Sequence, residues 1–197
     1  MFTKRQTGFI YAAAAMTALF AAGVTWLEIP GRKEMERYSV LPDFALTDQN
    51  GRPVALADLK GKVWLADFVY TTCPGPCPLI TAHMARIQRK LPPDADLRLV
   101  SFSTDPAHDT PEVLKAYSSK FEAGDRWEFL TGPQVKMQDL IRHGFLLAME
   151  VPRGAPVIHS TKMMLVDKTG TVRGIYDGTS SESDDQILAD MKTLLEE

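Results

Sequence analysis

The sequence predicts an α/β fold, and two observations support this prediction. Between residues 63 and 195, apolar runs with strand character alternate with segments whose apolar residues recur every three or four positions. Near its end, the chain has two strand-like runs joined by a short turn and followed by a helix-like segment. Strands that alternate with helices are typical of α/β domains with a largely parallel sheet.

The first predicted element is a β-hairpin that precedes the alternating part. Residues 43–56 contain two short apolar runs on either side of an Asn50-Gly51 pair, which is the strongest short-range hairpin signal. The continuous apolar run over 63–70 predicts a buried strand. An amphipathic helix is then predicted over 77–91, and two consecutive prolines end it.

The alternation continues through the middle of the chain. Residues 97–103 alternate as a strand. The next helix begins at Thr110-Pro111, because threonine caps helix N-termini and proline suits the first helical position. It is expected to end near Phe121. A short strand over 126–130 and a third helix that ends near Gly144 follow.

The final elements refine the fold prediction. Strands are predicted over 162–167 and 171–176, joined by Lys168-Thr169-Gly170, and a closing helix is predicted over 184–195. A β-hairpin followed by a helix forms the second half of a thioredoxin-like sheet. The sequence therefore predicts a thioredoxin-like fold with an N-terminal β-hairpin extension.

A membrane anchor is predicted at the N-terminus. Residues 8–27 carry no charge, and a helix of this length covers about 30 Å, the thickness of a bilayer's hydrocarbon core. Lys4 and Arg5 precede the run, so residues 1–7 are expected in the cytoplasm and the rest outside. This means the periplasmic side of a bacterial inner membrane, or the intermembrane space of a mitochondrion. A cleaved signal peptide is the alternative, since Ala21-Ala22-Gly23 supplies a small-residue site.

The remaining residues divide into a tether and one domain. Residues 28–39 are polar and mixed in charge, which is typical of a tether, and residues 40–197 are long enough for one core. Residues 1–39 hold 5 of the 22 basic and 3 of the 25 acidic residues, so the domain carries 17 and 22, a net charge of −5. Because it has no basic patch interleaved with aromatic residues, nucleic acid is not an expected partner.

Both cysteines of the chain lie at one strand-to-helix junction. Cys73 and Cys77 follow the strand over 63–70, and the predicted helix starts at Cys77. The positive end of a helix favours thiolate, which is needed both to bind a metal and to attack a disulfide. Pro74 and Pro76 stiffen the loop and hold the sulfurs at a preset separation. Metal binding and thiol–disulfide chemistry both remain open from this pattern.

A histidine ligand would favour a metal. His83 lies off the apolar stripe of its helix and is expected to be solvated, His108 lies in a polar loop, and His143 is expected to cap a helix. His159 comes just before the strand over 162–167, and in a thioredoxin-like sheet this loop passes over the cysteine loop. Two thiolates and one imidazole form a soft site that suits Cu(I) better than structural zinc, which prefers four ligands.

Three segments in order resemble one known family. They are Cys-Pro-Gly-Pro-Cys-Pro within 70–78, the Asp-Pro-Ala-His-Asp-Thr-Pro loop within 103–111, and the segment 157–170 with its histidine, aspartate and glycine. With these segments the chain resembles the Sco/SenC family, which are membrane-anchored, copper-binding assembly factors of cytochrome c oxidase. The resemblance covers about residues 40–197 and the N-terminal anchor.

The resemblance implies a site and a function. Cys73, Cys77 and His159 would be the ligands of one Cu(I) or Cu(II), delivered to the dinuclear copper site of oxidase subunit II. The expected role is therefore that of a metallochaperone rather than an enzyme. The family is also implicated in reducing that subunit's cysteines, which would add a thiol–disulfide activity. An oxidised pair cannot bind Cu(I), so a thioredoxin-like reductant is a further expected partner. Asp105 falls on a loop expected near the site, with turn geometry as its alternative role.

Two other functions remain as alternatives. A membrane-tethered thiol–disulfide reductase would use Cys73 and Cys77 as its redox pair. Thioredoxin-type reductases carry a cis-proline before the strand that starts here near Lys162, and this chain has Thr161 in that position. The second alternative is a structural Cys73–Cys77 disulfide in an exported binding module.

Overall fold

The computed structural model describes residues 34–150 and 158–197, with the backbone alone for residues 149, 150, 158 and 159. The predicted anchor over 8–27 lies outside the described residues. Within the described part of the chain, no helix is long and apolar enough to cross a membrane. Glu36 to Glu197 form one unit that contains every strand and helix given below.

The described elements comprise short and long strands, with helices between them. The strands are β1 (Ser39–Val40), β2 (Ala45–Thr47), β3 (Pro53–Ala55), β4 (Val63–Val69), β5 (Leu97–Ser103), β6 (Trp127–Leu130), β7 (Met149–Glu150), β8 (Ile158–His159), β9 (Lys162–Val166) and β10 (Thr171–Asp177). The helices are α1 (Leu56–Leu59), α2 (Cys77–Lys90), α3 (Pro111–Lys120), α4 (Gln134–Asp139) and α5 (Asp184–Leu195).

The main sheet has the predicted thioredoxin-like layout. Among the described residues its strand order is β1-β10-β9-β4-β5-β6. Strand β4 runs parallel to β5, and β5 runs parallel to β6, which forms the β-α-β half. Strand β9 is antiparallel to both β4 and β10, which forms the hairpin half. Helices α2 and α5 pack on β4. The carboxyl ends of β4 and β5 and the start of β9 therefore meet at one edge of the sheet.

The predicted N-terminal hairpin is confirmed. Strands β2 and β3 pair antiparallel, and Gly51 in their turn has a φ of +75°, which favours glycine. Thr47 exchanges backbone hydrogen bonds with Thr131, at 2.8 and 2.9 Å, directly after β6. The hairpin is thus attached beyond the end of β6.

The structure differs from the predicted elements in several places. Strand β1 and the short helix α1 were not predicted, and Ser39, predicted as the end of the tether, pairs with Val172 of β10. The third helix is α-helical only as far as Asp139 and continues as a π-helical turn over Leu140–Gly144. Strands β7 and β8 were not predicted, because each has two residues and no periodicity to detect. Their pairing places the backbone of His159 opposite that of Met149.

Strand β4 is buried along its whole length. Its even-numbered residues, Trp64, Ala66 and Phe68, belong to one apolar cluster that covers one face of the sheet. Within that cluster Phe145 contacts Phe68 and Phe102 edge to face, with ring centroids 5.0 and 5.3 Å apart, an arrangement that aromatic pairs prefer. Because side chains alternate along a strand, the odd-numbered residues face the other side. Close packing on both faces gives the cysteine loop a rigid support.

Candidate functional site

The two cysteines lie in and beside the loop between β4 and α2. Neither is in a disulfide; Cys73 is half-buried in the loop, and Cys77 is fully buried as the first residue of α2. This confirms the predicted junction, with Pro76 at the N-cap position of the helix. The backbone N–H of Gly75 points at the Cys73 sulfur, with N and Sγ 3.4 Å apart.

A buried aspartate holds the start of this loop. The Asp109 carboxylate accepts the hydroxyl of Thr71 at 2.6 Å and its backbone N–H at 3.2 Å. Its second oxygen accepts the hydroxyl of Ser103 at 2.7 Å. The sequence drew attention to Asp105 in this motif, but Asp109 makes these contacts. Asp105 is half-buried, and its charge helps to raise the pKa of Tyr70.

The environment of Cys73 favours its thiolate. Partial burial raises the pKa of Cys73, but hydrogen bonds from Cys77, Gly75 and the Tyr70 hydroxyl outweigh this, and the pKa lies below its ordinary value. These donors stabilise the negative charge on the sulfur. Burial, together with the hydrogen bond to Cys73, raises the pKa of Tyr70 to about 12. The Cys73 thiol therefore ionises more readily than an ordinary cysteine thiol.

Cys77 behaves in the opposite way. Burial, followed by the hydrogen bond to Cys73, raises the pKa of Cys77 far above its ordinary value. The sequence predicted that the helix N-terminus would lower the pKa of this thiol. That prediction is wrong for Cys77, because the loss of solvation at this position outweighs the helix dipole.

Replacing Tyr70 with phenylalanine is expected to raise the pKa of Cys73. The ring stays in place, but the sulfur loses one hydrogen-bond donor. The pH dependence of the iodoacetamide alkylation rate of the reduced chain measures this pKa. Tyr117→Phe is the matched control. It also removes a tyrosine hydroxyl, but this hydroxyl pairs with the Thr81 hydroxyl at 2.9 Å, whereas that of Tyr70 bonds to Cys73. An alkylation profile for Tyr70→Phe identical to wild type would show that the hydroxyl does not stabilise the thiolate.

A buried carboxyl group lies on β4, the strand that leads into the cysteine loop. Asp67 is fully buried, and one of its oxygens accepts the hydroxyl of Ser101 at 2.5 Å. The Ser101 oxygen in turn accepts the indole N–H of Trp127 at 2.9 Å. Burial raises the pKa of Asp67 to about 7, although the Ser101 hydrogen bond opposes this, and its charge raises the pKa of Cys77. An acidic residue within an apolar strand was visible in the sequence, but its importance was missed.

The backbone of His159 belongs to the segment that leads into β9. Strand β9 starts three residues after His159 and runs antiparallel to β4, with Met164 opposite Ala66. The start of β9 therefore lies beside the end of β4, where the cysteine loop begins. The His159 side chain is outside the described residues. Among the side chains that are described, no three His, Cys, Asp or Glu form a cluster that could hold a metal.

The other three histidines lie in different surroundings. His83 is only 3% exposed, so the prediction of a solvated side chain is wrong. Burial lowers the pKa of His83, and its ring faces the backbone of Gly178. His143 is exposed and its Nε2 lies 3.7 Å from an Asp139 oxygen, while His108 is exposed in its loop.

Comparison with known proteins identifies the family. The family model described as SCO1/SenC matches residues 32–196. The chain belongs to the SCO1/SenC family. The resemblance that the three sequence segments indicated is therefore confirmed.

Three matches cover most of both this SCO1/SenC chain and the similar protein. The SCO1 protein homolog of Bacillus subtilis is 38% identical over 165 residues, which cover 82% of this chain and 85% of the relative. The structure of BsSco, described as having a disulfide switch and belonging to the Sco family of cytochrome c oxidase assembly proteins, is 36% identical. It has a TM-score of 0.75 and covers 82% of this chain and 97% of its own. ScoI of Bradyrhizobium japonicum with copper bound is 28% identical, with a TM-score of 0.69 and coverages of 79% and 99%.

Proposed function

We propose that this SCO1/SenC chain is a copper-binding assembly factor of cytochrome c oxidase, with Cys73, Cys77 and His159 as the copper ligands. The observation that carries the proposal is the pair of hydrogen-bonded cysteines, not joined in a disulfide, at the sheet edge where β9 starts. The solved ScoI structure with copper bound, from a member of the same family, supports it.

The donor set fits copper. Two thiols supply soft ligands, which Cu(I) prefers over the harder oxygen donors. One of them, Cys73, is stabilised as a thiolate in advance by its hydrogen-bond donors, and a metal must be bound by deprotonated sulfur. The loop between them contains Pro74 and Pro76, so little conformational entropy is lost when the sulfurs bind a metal. Copper bound here is a cargo that the chain carries and passes on.

The finer parts of the proposal concern delivery and location. Copper goes from this site to the dinuclear copper site of oxidase subunit II, and the chain can also reduce the cysteines of that site. A thioredoxin-like protein keeps Cys73 and Cys77 reduced, because the pair tends to oxidise outside the cytoplasm. The uncharged run over residues 8–27 anchors the chain in the membrane. The domain faces the periplasm, or the intermembrane space of a mitochondrion.

His159→Ala is expected to lower Cu(I) affinity at least about tenfold, roughly 1.4 kcal/mol, because one of three ligands is lost. The measurement is a Cu(I) titration of the reduced full-length chain against a competing chelator. His143→Ala is the matched control, since His143 is exposed on the π-helical turn after α4. Wild-type affinity in His159→Ala would refute the three-ligand site.

A thiol–disulfide reductase is the second candidate. The acidic Cys73 and the buried, weakly acidic Cys77 form an asymmetric pair, and BsSco is described as having a disulfide switch. In this function the Cys73 thiolate attacks a client disulfide, and Cys77 then resolves the mixed disulfide, so that the client is reduced and the pair is oxidised. Turnover of a disulfide peptide with unchanged rate in His159→Ala would favour this candidate over copper delivery.

A further inference from the structure

Gly178 lies where three segments of the chain meet. It is buried directly after the end of β10, and its backbone N–H donates to the Thr161 carbonyl at 2.9 Å. Thr161 lies two residues after His159 and immediately before β9. The Gly178 position also faces Ile80, which lies three residues after Cys77 on α2. Gly178 therefore connects the segment that follows His159 to the helix that begins with Cys77.

The space at this position admits no side chain. A Cβ atom on Gly178 would lie 2.6 Å from the Thr161 carbonyl oxygen and 3.2 Å from Cγ2 of Ile80. Ordinary contact starts at 3.4 Å, so the Cβ would be about 0.8 Å too close to the Thr161 backbone. Gly178 does not have a positive φ. Glycine is thus required here by close approach and not by backbone conformation.

The turn that contains Gly178 is held in place from two directions. The Asp177 carboxylate accepts the backbone N–H and the hydroxyl of Thr179, at 2.9 and 2.6 Å. Ile80, which faces Gly178 from α2, is itself 1% exposed within the core. An added methyl group has no room on the helix side, so we expect it to displace the Thr161 carbonyl.

We propose that Gly178 is a positioning residue for His159. Its lack of a side chain allows the Thr161 carbonyl to accept the Gly178 N–H beside Ile80 of α2, and this sets the distance from the His159 backbone to Cys77. The inference rests on the proposed function, in which His159 and both cysteines hold one copper ion. Ligand distances in metal sites are defined to about 0.2 Å, so a displacement of several tenths of an ångström in this segment would disturb the site.

Gly178→Ala is expected to lower Cu(I) affinity at least about tenfold, roughly 1.4 kcal/mol, in the reduced full-length chain with a competing chelator. In the His159→Ala background the same change is expected to have no further effect, because the ligand that it positions is gone. Gly124→Ala is the matched control. The Gly124 N–H also donates a hydrogen bond, to the Gln88 side chain at 2.8 Å, but an added Cβ would make only an ordinary contact with that side chain at 3.5 Å.

The variants distinguish this inference from the proposed function. Wild-type affinity in Gly178→Ala, or an equal loss with and without His159, would overturn the positioning role. Wild-type affinity in His159→Ala would overturn the proposed function itself. As a spectroscopic readout, the nitrogen hyperfine coupling of the Cu(II)-loaded chain is expected to weaken in Gly178→Ala and to persist in Gly124→Ala.

Hydrogen exchange of the wild-type chain tests the same inference if Gly178→Ala does not fold. Coupling is reciprocal, so a contact that positions His159 must itself be stabilised by copper. The Gly178 amide is expected to exchange more slowly when Cu(I) is bound, and the Gly124 amide at an unchanged rate. Equal exchange of the Gly178 amide with and without Cu(I) would contradict the inference.

Discussion

Replacing Asp67 with asparagine is expected to stabilise the domain above pH 7. Burial raises the pKa of Asp67 from 3.8 to about 7, so between these values the folded state keeps a proton that the unfolded state has released. Wild-type stability therefore falls as pH rises through this window, by at most about 1.4 kcal/mol per pH unit and about 4 kcal/mol in all. Asparagine carries no charge and retains an oxygen for the Ser101 hydroxyl. The stability of the variant is therefore not expected to fall across this window.

Urea unfolding of both proteins between pH 4 and pH 8 measures this effect. The free energy of unfolding of Asp67→Asn minus that of wild type is expected to grow across the window and to level off above pH 7. Asp43→Asn is the control, because the Asp43 side chain is 90% exposed. A difference that is constant with pH would mean that Asp67 is already ionised in the folded domain at pH 5.

Cys77→Ser is expected to lower copper affinity much more than His159→Ala does. A hydroxyl is a hard, neutral ligand in place of a soft thiolate, so Cu(I) affinity is expected to fall at least about a thousandfold, roughly 4 kcal/mol. Serine is close to cysteine in size, and the burial of its hydroxyl costs about 1–3 kcal/mol of stability. Chelator competition measures the affinity, and thermal unfolding confirms that the variant is folded at the temperature used.

Cys73→Ser serves as the comparison and separates the two candidate functions. Copper binding requires both sulfurs, so the two serine variants are expected to lose affinity alike. In thiol–disulfide exchange the variants differ, because the acidic Cys73 attacks and Cys77 resolves. Cys77→Ser would then accumulate a mixed disulfide with a client peptide, which mass spectrometry detects, and Cys73→Ser would not. Unchanged Cu(I) affinity in both variants would refute the proposed site.

Much of the fold could be predicted from local patterns. The strand over 97–103 and the helix over 184–195 have the predicted bounds, since their apolar residues recur with the period of the element. The Asn50-Gly51 pair and Gly170 predicted the turns of the two hairpins. In the structure Gly170 has a φ of +84°. Strands β7 and β8 escaped prediction because a two-residue strand is defined by its partner and has no period of its own.

The candidate site was predicted in part. The pairing of Cys73 with Cys77 followed from their spacing at a strand-to-helix junction. The roles of Asp109 and of the Tyr70 hydroxyl did not follow, because both act through contacts with the cysteine loop that depend on packing. His83 was misjudged for a related reason: its position off the apolar stripe suggested solvent, but the turn after β10 covers it.

The sequence by itself determined the α/β class, the order of the elements, the position of the two cysteines and the resemblance to the Sco/SenC family. These properties depend on residue periodicity, turn residues and short motifs, which are local. The tertiary structure decided that Cys73 and Cys77 have opposite pKa shifts, that Asp67 is buried, and that Gly178 contacts Thr161 closely. Solvation, hydrogen bonding and close approach depend on which distant segments pack around a group, and the chain must fold before they are set.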